Sequence, residues 1–460
     1  MAGLDAMSKN LYIKTFGCQM NERDSEIIEQ LLAQEGYVAT DEPEVADVIL
    51  VNTCSIREKA EQKVFSLLGA LQAEKRKKPH LLLGVAGCVA QQEGKQIIQR
   101  MPHVDLVVGT QQIYRLPEML DRLQQGATNM EIATDMEASF TIPPFQKLLA
   151  GPSPVPLAPS HGCKRFVTIM QGCNNFCSYC VVPNTRGREI SRPMADILEE
   201  VELLVAHNIR EITLVGQNVN SYGAANPVAA RQADFPLLLR EVAAIEGVQR
   251  LRFTTSHPKD LTEELMRCFA EIDNLCPHFH LPVQSGSNAV LHRMNRKYTV
   301  ETYLDKVKQL KEYRPDIALA TDVIIGFPGE TDDDFQATMN LLNRVRFHGS
   351  FSFKYSDRPH TRSAALNSKV PEKVKSARLT AFQSRQDEIC FERNSEYIGK
   401  KVEILVETIS ATGIKGRTPG NQIVHCPDAP PSLLPGDLVL ARIVHAGKHS
   451  LQGKIETDHE

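Results

Sequence analysis

Residues 171–183 read QGCNNFCSYCVVP and place three cysteines, Cys173, Cys177 and Cys180, within eight residues. The spacing is C-x3-C-x2-C. Three thiolates in one loop can ligate three irons of a four-iron cluster. An electron-transfer ferredoxin closes the fourth corner with another cysteine, but the next cysteine in this chain is Cys268. The spacing therefore predicts a [4Fe-4S] cluster with one iron open to a bound molecule.

Zinc binding and disulfide formation explain this spacing less well. A structural zinc site needs four ligands, usually arranged as two pairs, and a disulfide framework needs an oxidising compartment. The chain begins MAGLDAMSKN, without the charged start and apolar core of a signal peptide. Its longest apolar stretch, around residues 81–90, is far shorter than the roughly 20 residues of a membrane helix. We expect a cytoplasmic protein with no membrane contact, and we keep zinc as an alternative.

The motif, with Tyr179 as the aromatic residue before its last cysteine, resembles that of the radical S-adenosylmethionine enzymes. The resemblance implies that S-adenosyl-L-methionine chelates the open iron and that Tyr179 packs near its adenine. It also implies an external electron donor of the flavodoxin or ferredoxin type. In such enzymes the cofactor carries the difficult chemistry, and the protein positions it and tunes its electronics.

Composition bounds the architecture and the partners. At 460 residues the chain is long enough for about three domains. Its formal net charge is −4 and its pI about 6.4, so it lacks the basic footprint common in nucleic-acid-binding proteins. Any RNA-binding surface must therefore be local.

Strand and helix patterns alternate from Leu11 to about Gln125, which predicts an open parallel sheet with helices on both faces. The predicted strands are 11–15, 48–52, 81–85 and 104–108, and the predicted helices are 24–34, 58–75, 92–99 and 116–124.

Three further cysteines follow the first three of these strands. Cys18, Cys54 and Cys88 each lie just past a strand's carboxyl end, where ligands of open α/β sheets gather. The alternative is that each is an ordinary buried cysteine. Because all three occupy equivalent positions, we expect a second cluster here.

The rest of the chain divides into a linker, a second alternating region and a barrel. Residues 138–159 are Pro-rich and predict an extended linker. Six strand–helix units between 164 and 355 predict a partial (β/α)6 TIM-like barrel, with functional residues at the carboxyl ends of its strands. The six predicted strands are 166–170, 211–215, 250–254, 279–282, 319–325 and 350–354. A charged helix is predicted over 371–393, and residues 399–455 predict a small antiparallel β-barrel. The expected segments are an N-terminal domain over 8–127, the linker, a central domain over 160–394 and a C-terminal domain over 396–458.

A wider resemblance covers nearly the whole chain. TFGCQMN, VNTCSIREKAE, TRGREISRP, LVGQNVNSYG, HLPVQSGS and TDVIIGFPGET resemble the methylthiotransferases, and the last barrel resembles the RNA-binding TRAM domain. NERDSE and MNRKYTVETYL are most similar to the branch that acts on tRNA. The resemblance implies an auxiliary [4Fe-4S] cluster on Cys18, Cys54 and Cys88. It also implies methylthiolation of C2 of N6-isopentenyladenosine in the tRNA anticodon stem-loop.

Other functions remain open at this point. The same chemistry could act on threonylcarbamoyl-adenosine in tRNA or on a ribosomal-protein aspartate. A non-catalytic iron–sulfur electron carrier with an RNA-binding tail is a further alternative. We expect a monomer.

Contacts to S-adenosyl-L-methionine are expected at strand ends. Arg293 could meet the methionine carboxylate, since arginine makes strong charge-assisted bonds to carboxylates. Ordinary turn chemistry is the alternative for the polar residues. The predicted cofactor contacts are Tyr179, Gln217, Asn218, Ser256, Gln284, Ser285 and Arg293.

RNA contacts are expected from arginines, which suit both phosphate and base stacking. One group follows the cysteine loop, a second follows the sixth strand, and a third precedes a turn in the small barrel. The alternative for each is solvated surface charge. The predicted RNA contacts are Arg186, Arg188, Arg192, Arg358, Arg362, Lys415 and Arg417.

Overall fold

The computed structural model describes residues 9–55, 58–137, 140–148, 162–224, 234–427, 430 and 432–456, with residues 58–61 described by their backbone alone. Two compact units make up the chain. The first comprises Met1–Ala158 with Gln171–Asn174 and Val181–Arg192, and the second comprises the remainder.

The first unit contains a six-stranded sheet in which every strand pair is parallel. Its strands are β1 (Lys9–Phe16), β2 (Tyr37–Ala39), β3 (Val48–Thr53), β4 (Leu82–Gly87), β5 (Leu106–Val108) and β6 (Glu131–Ala133). Its helices are α1 (Gln19–Gln34), α2 (Glu58–Lys77), α3 (Cys88–Glu93), α4 (Lys95–Arg100) and α5 (Leu116–Gln124). The spatial order is β2-β1-β3-β4-β5-β6. The predicted parallel sheet is confirmed, and it gains β2 and β6 at its two edges.

Burial explains why the central strands were readable from sequence. All six residues of β3 are buried, as expected for a parallel strand covered on both faces.

The helix predicted over 92–99 is instead two short helices that meet at Gly94, whose φ of +49° ends α3.

The predicted linker is partly packed structure. Residues 138–139 and 149–159 lie outside the described residues, but 140–148 are described and include a 3₁₀ turn at Phe145–Leu148. Phe145 and Leu148 are buried, and the Gln34 side-chain amide donates to the Leu148 carbonyl at 2.5 Å. An extended conformation is therefore wrong for this stretch. The first domain also extends past the predicted boundary at 127, because β6 ends at Ala133.

Six parallel strands form the predicted partial barrel of the second unit. They hydrogen-bond as two three-stranded groups, with a parallel bridge from Leu251 to Leu275 between them. They are β7 (Lys164–Thr168), β10 (Glu211–Val215), β11 (Arg250–Phe253), β12 (His278–His280), β13 (Ala318–Ile325) and β14 (Gly349–Lys354). The short strands β8 (Met170–Gln171) and β9 (Ile190–Ser191) flank the cysteine loop in sequence. The helices after the loop are α6 (Val182–Thr185), α7 (Met194–Ala206), α8 (Phe235–Ala243), α9 (Glu263–Glu271), α10 (Asn288–Arg293), α11 (Val300–Tyr313), α12 (Asp332–Val345) and α13 (Glu372–Ser395).

Aromatic side chains pack together in the interior of this region. The Phe253 ring lies 5.0 Å from Phe235, 5.6 Å from Phe269 and 5.4 Å from Phe279, measured between ring centroids. Tilted and edge-on arrangements of this kind add to the stabilisation from buried area.

The C-terminal residues form the predicted small barrel, which is closed and five-stranded. The strands are β15 (Lys401–Ser410), β16 (Gly413–Arg417), β17 (Ile423–Cys426), β18 (Leu438–Ala446) and β19 (Leu451–Ile455). Four pairs are antiparallel and β17 pairs with β19 in parallel, which departs from the all-antiparallel expectation. Strand β16 was not predicted.

Ionic contacts attach this barrel to the amino-terminal edge of the six-stranded region. Arg250, the first residue of β11, bonds to Glu403 at 2.8 Å and donates to the Arg417 carbonyl at 2.6 Å. Arg252 donates to the Thr418 carbonyl at 3.0 Å. The barrel therefore lies at the opposite strand ends from the cysteine loop, which follows the carboxyl end of β7.

None of the helices in the described residues combines the length and apolar character needed to cross a membrane.

Candidate active site

Cys18, Cys54 and Cys88 converge because they follow three neighbouring strands. The last residues of β1, β3 and β4 pair in register, so the cysteines, which follow within one or two residues, emerge side by side at one edge of the sheet. Cys18 is the N-cap of α1, and Cys88 is the first residue of α3. The structure thus brings together three predicted ligands that are far apart in sequence.

Two glycines make this close approach possible. At Gly17, where φ is +144°, a Cβ atom would lie 2.5 Å from the Cys54 Cβ. At Gly87, where φ is +88°, it would lie 2.8 Å from the Thr53 carbonyl oxygen. Any larger residue would meet both a strained backbone and a steric clash.

The three thiols hydrogen-bond in a row with Cys54 at the centre. The bond to Cys54 lowers the pKa of Cys18 to about 6 and that of Cys88 to about 7, against the opposing effect of burial. The same bonds, together with burial, raise the pKa of Cys54 well above its ordinary value. We therefore expect Cys18 and Cys88 to ionise before Cys54.

This donor set fits a [4Fe-4S] cluster with three protein ligands. In an iron–sulfur cluster each thiolate takes a separate iron, so the sulfur atoms need not surround one point. Soft thiolate donors also favour iron–sulfur clusters.

A buried amide network supports the loop beneath the thiols. The Asn21 side-chain amide donates to the Asn52 side-chain oxygen at 3.1 Å, and Asn52 donates to the Asn21 carbonyl at 2.8 Å and to the Ser25 hydroxyl at 2.9 Å. The Cys18 thiol lies 3.4 Å from the Asn21 side-chain oxygen. Sequence reasoning missed these residues, although a polar Asn52 near the end of the apolar strand VILVNT already indicated a buried hydrogen-bonding role.

Arg186 belongs to this site and is not a surface residue. Its side chain is 3% exposed and its Nη2 lies 2.5 Å from the Asp24 carboxylate. Burial opposes the charge, but Asp24, Cys88 and Cys18 raise the pKa of Arg186 well above its usual range. The predicted RNA contact is therefore wrong for Arg186, because RNA cannot reach a side chain enclosed in this way.

The C-x3-C-x2-C loop is held by backbone contacts from the segment after α10. The Ser178 amide donates to the Met294 carbonyl, and the Ser178 hydroxyl donates to the Arg293 carbonyl, both at 2.9 Å. Phe176 has a φ of +49°, and its carbonyl accepts from Asn295 and from Arg362 at 2.8 Å each.

Arg296 is a further residue that sequence reasoning missed. Its Nη1 lies 3.3 Å from the Cys177 sulfur, and its Nη2 donates to the Pro282 carbonyl at 2.9 Å. The guanidinium is buried and stands over the Tyr298 ring. A fixed positive charge therefore lies beside one of the predicted cluster ligands.

The predicted cofactor residues lie near the carboxyl ends of the strands, but they differ in whether their polar groups already have hydrogen-bond partners. Tyr179 stacks edge-on against Phe327 with ring centroids 6.5 Å apart. Asn218 donates to Asp260 at 2.7 Å, whereas the buried Ser256 hydroxyl has no hydrogen-bond partner among the described residues. Gln217 is half-buried.

Two of the remaining predicted cofactor residues, Ser285 and Arg293, already contact other residues of the second unit. Gln284 has a φ of +72° and Ser285 is buried 3.4 Å from the Thr338 hydroxyl. Arg293 donates to the Gly329 carbonyl at 3.1 Å and approaches Asp334 at 3.5 Å. Both contacts use Nη2, and the buried Nε has no hydrogen-bond partner among the described residues, so the carboxylate contact stays a prediction.

The other predicted RNA residues divide by exposure. Arg188 and Arg362 are exposed, and Arg358 is half-exposed. Arg192 is 4% exposed, so a direct RNA contact is wrong for it as for Arg186.

The turn after β16 does not present its basic residues as predicted. Arg417 bonds to Glu407 at 3.0 Å and to the Asn421 side chain at 3.1 Å. Its turn is docked on Arg250 and Arg252, away from the carboxyl ends of the strands, and Lys415 is half-buried. This turn is therefore a structural contact, and an RNA role for Arg417 is not supported.

Two family models match the chain. One, described as "Uncharacterized protein family UPF0004", covers residues 10–109, and the other, described as "Radical SAM superfamily", covers residues 167–342. The matches confirm the family resemblance inferred from the cysteine motif.

Curated relatives are similar over nearly their full length. A "tRNA-2-methylthio-N(6)-dimethylallyladenosine synthase" from Desulfotalea psychrophila is 56% identical over 97% of this chain and 99% of the relative. A protein of the same name from Geobacter sulfurreducens is 47% identical over 98% of each chain.

Solved structures share the fold at low sequence identity. The radical S-adenosylmethionine methyltransferase TsrM from Kitasatospora setae has a TM-score of 0.55 and 14% identity, covering 78% of this chain and 77% of that chain. The cobalamin-dependent S-adenosylmethionine radical enzyme OxsB has a TM-score of 0.52 and 11% identity, covering 83% and 56%.

Proposed function

Because the chain belongs to the family of tRNA-2-methylthio-N(6)-dimethylallyladenosine synthases, we propose that it is a radical enzyme that methylthiolates C2 of N6-isopentenyladenosine in tRNA. The observation that carries this proposal is the convergence of three thiols on neighbouring strands, separate in sequence from the C-x3-C-x2-C loop. Two three-thiolate sites suit a reaction that must both generate a radical and supply sulfur.

The six cysteines divide into two ligand sets. Cys173, Cys177 and Cys180 hold the radical-generating [4Fe-4S] cluster, and Cys18, Cys54 and Cys88 hold the auxiliary one. When bound, the two clusters and S-adenosyl-L-methionine supply reductive carbon–sulfur cleavage and the site of sulfur delivery.

The protein's own groups position these components. Arg296 holds a positive charge 3.3 Å from the Cys177 sulfur. The unpartnered Ser256 hydroxyl and the half-buried Gln217 lie at the strand ends where S-adenosyl-L-methionine is expected. Tyr179, which packs edge-on against Phe327, would lie against the adenine of S-adenosyl-L-methionine.

Partners follow from the same assignment. The substrate base must leave its stack to reach the carboxyl edge, as base-modifying enzymes require. Arg188, Arg358 and Arg362 are the accessible basic residues for the anticodon stem-loop. We further propose a cytoplasmic monomer that receives electrons from a flavodoxin- or ferredoxin-type protein.

Iron content and product analysis test the two-cluster assignment. Anaerobically reconstituted protein should hold about eight irons, from two four-iron clusters. C173A/C177A/C180A should keep about half the iron and make no 5′-deoxyadenosine. C18A/C54A/C88A should keep about half the iron, make 5′-deoxyadenosine and give no methylthio product.

A matched variant controls for the loss of buried thiols. C268A/C276A/C390A removes three buried cysteines outside both sets and should retain all iron and activity. Full iron in C173A/C177A/C180A would refute the cluster assignment. Products of tRNA carrying N6-isopentenyladenosine or threonylcarbamoyl-adenosine, and of the ribosomal protein, should be weighed in parallel to establish the substrate.

A further inference from the structure

The turn that ends α10 places Arg296 beside the middle of the cysteine loop. The Arg296 amide donates to the Leu291 carbonyl at 2.9 Å, which closes the last turn of the helix. Asn295, with a φ of +59°, directs its side-chain amide to the Phe176 carbonyl at 2.8 Å. The same turn therefore holds the loop next to Cys177 and positions the arginine that faces it.

Each nitrogen of the Arg296 guanidinium has a partner. Nε donates to the Tyr298 hydroxyl at 2.9 Å, and Nη2 donates to the Pro282 carbonyl at 2.9 Å. The Tyr298 hydroxyl in turn donates to the Val283 carbonyl at 2.8 Å. These bonds fix the plane of the guanidinium, so that Nη1 points at the Cys177 sulfur 3.3 Å away.

This buried cation has no carboxylate partner within the part of the chain that the structure describes. Arg296 is 8% exposed, and its three polar contacts are a hydroxyl, a carbonyl and the Cys177 sulfur. By contrast, the buried Arg252 and Arg378 of the same unit each pair with a glutamate, at 2.9 and 2.8 Å. Burying a charge is costly unless an opposite charge accompanies it. Of the groups that Arg296 contacts, Cys177 is the one that becomes an anion on binding iron.

We propose that Arg296 supplies the counter-charge of the Cys177 thiolate and thereby raises the reduction potential of the [4Fe-4S] cluster on Cys173, Cys177 and Cys180. The inference rests on the proposed function, which assigns a cluster to this loop. Reduction by the external donor adds one electron, and so one negative charge, to the cluster, while the arginine charge stays fixed. Charge and hydrogen bonds at the sulfur ligands set the potentials of such clusters, and the attraction is strongest where water is excluded. Arg296 acts through Cys177 and is a positioning residue.

A redox titration measures this effect without turnover. Full-length C18A/C54A/C88A protein, which should hold the loop cluster alone, is titrated without tRNA or S-adenosyl-L-methionine. The electron paramagnetic resonance signal of the reduced cluster gives the midpoint potential, and iron is measured on each sample. Adding R296Q should lower the ratio of reduced to oxidised cluster at least tenfold at a fixed applied potential. For a one-electron couple, that ratio corresponds to a midpoint lower by about 59 mV.

Two further variants separate the charge from the loop contact. R296K keeps the charge without the planar fork, so its midpoint should lie between those of R296Q and the parent. R362Q is the matched control, since Arg362 also bonds to this loop, at the Phe176 carbonyl, but is exposed. Solvent and salt screen its charge, so R362Q should change the ratio less than threefold.

The outcomes separate this inference from the proposed function. An unchanged or higher midpoint in an R296Q sample with about four irons would overturn the inference and leave the cluster assignment intact. Loss of iron from R296Q, with R362Q intact, would overturn it too, because Arg296 would then serve cluster binding and not the potential. A C18A/C54A/C88A parent without iron would instead refute the cluster assignment of the proposed function, and this inference with it.

Discussion

Replacing Gly87 by alanine should destabilise the first unit and remove the auxiliary cluster. Gly87 has φ +88° and ψ −155°, a region occupied essentially by glycine, so alanine costs of order 1–3 kcal/mol in backbone strain. The added Cβ would also lie 2.3 Å from the Asn52 side-chain oxygen and 3.0 Å from the Asn21 side-chain nitrogen.

Relieving that clash must disturb the amide network. Asn52 and Asn21 are fully buried, and leaving one of their polar groups unpaired costs about 1–3 kcal/mol. With the strain and the unpaired group, the total is about 2–6 kcal/mol, a large fraction of the stability of a typical domain. For a unit of this size, each kcal/mol shifts Tm by about 2–4 °C, so G87A should lower Tm by roughly 4–24 °C.

Gly126 provides the matched control. It also has positive φ, +68°, but a Cβ there meets nothing within 4 Å. G126A should therefore cost about 1–2 kcal/mol from strain alone. Thermal unfolding and iron content are measured on both variants. If G87A unfolds no earlier than G126A and keeps its full iron, the argument from close backbone approach is refuted.

Two other perturbations test the second unit. R252M leaves Glu211 buried without its 2.9 Å partner and should cost about 3–5 kcal/mol, measured as a lower Tm and faster proteolysis of the barrel. R122M removes a more exposed ion pair and should change Tm little. Equal Tm values for the two variants would contradict the importance of the buried ion pair. Burial, aided by Arg296, lowers the pKa of His257 to about 2 from its ordinary 6.5. The folded state keeps His257 neutral while the unfolded state takes up a proton, so its contribution is complete above pH 6.5 and is lost as the pH falls toward 2. When the pH falls from 7.5 to 5, the Tm of H257Q should decrease less than the Tm of the parent. Equal decreases would show that His257 is already protonated in the folded state.

Elements with long apolar runs were predictable, whereas short edge elements were not. Strand β3 reads VILVNT, and its burial on both faces imposes a continuous apolar pattern. Strands β2 and β6 have three residues each, too few for any period to show. The position of the cysteines after parallel strands was likewise predictable, because carboxyl ends of parallel strands share one edge.

Side-chain environments that depend on distant residues were beyond the sequence. TRGREISRP has the composition of a solvated basic stretch, yet Arg186 pairs with Asp24, 162 positions away. KGRTPGNQ has the composition of an exposed turn, but Arg252, 166 positions from Thr418, holds it against β11. Such pairings follow from the tertiary fold and leave no local pattern.

The attachment of the small barrel to β11 has a mechanical consequence. This strand has four residues, and Arg250 and Arg252 fasten the barrel turn to it. Ser256 and His257 emerge just beyond its other end. Because one four-residue strand carries both features, a substitution that displaces it would alter the barrel attachment and the placement of Ser256 and His257 together.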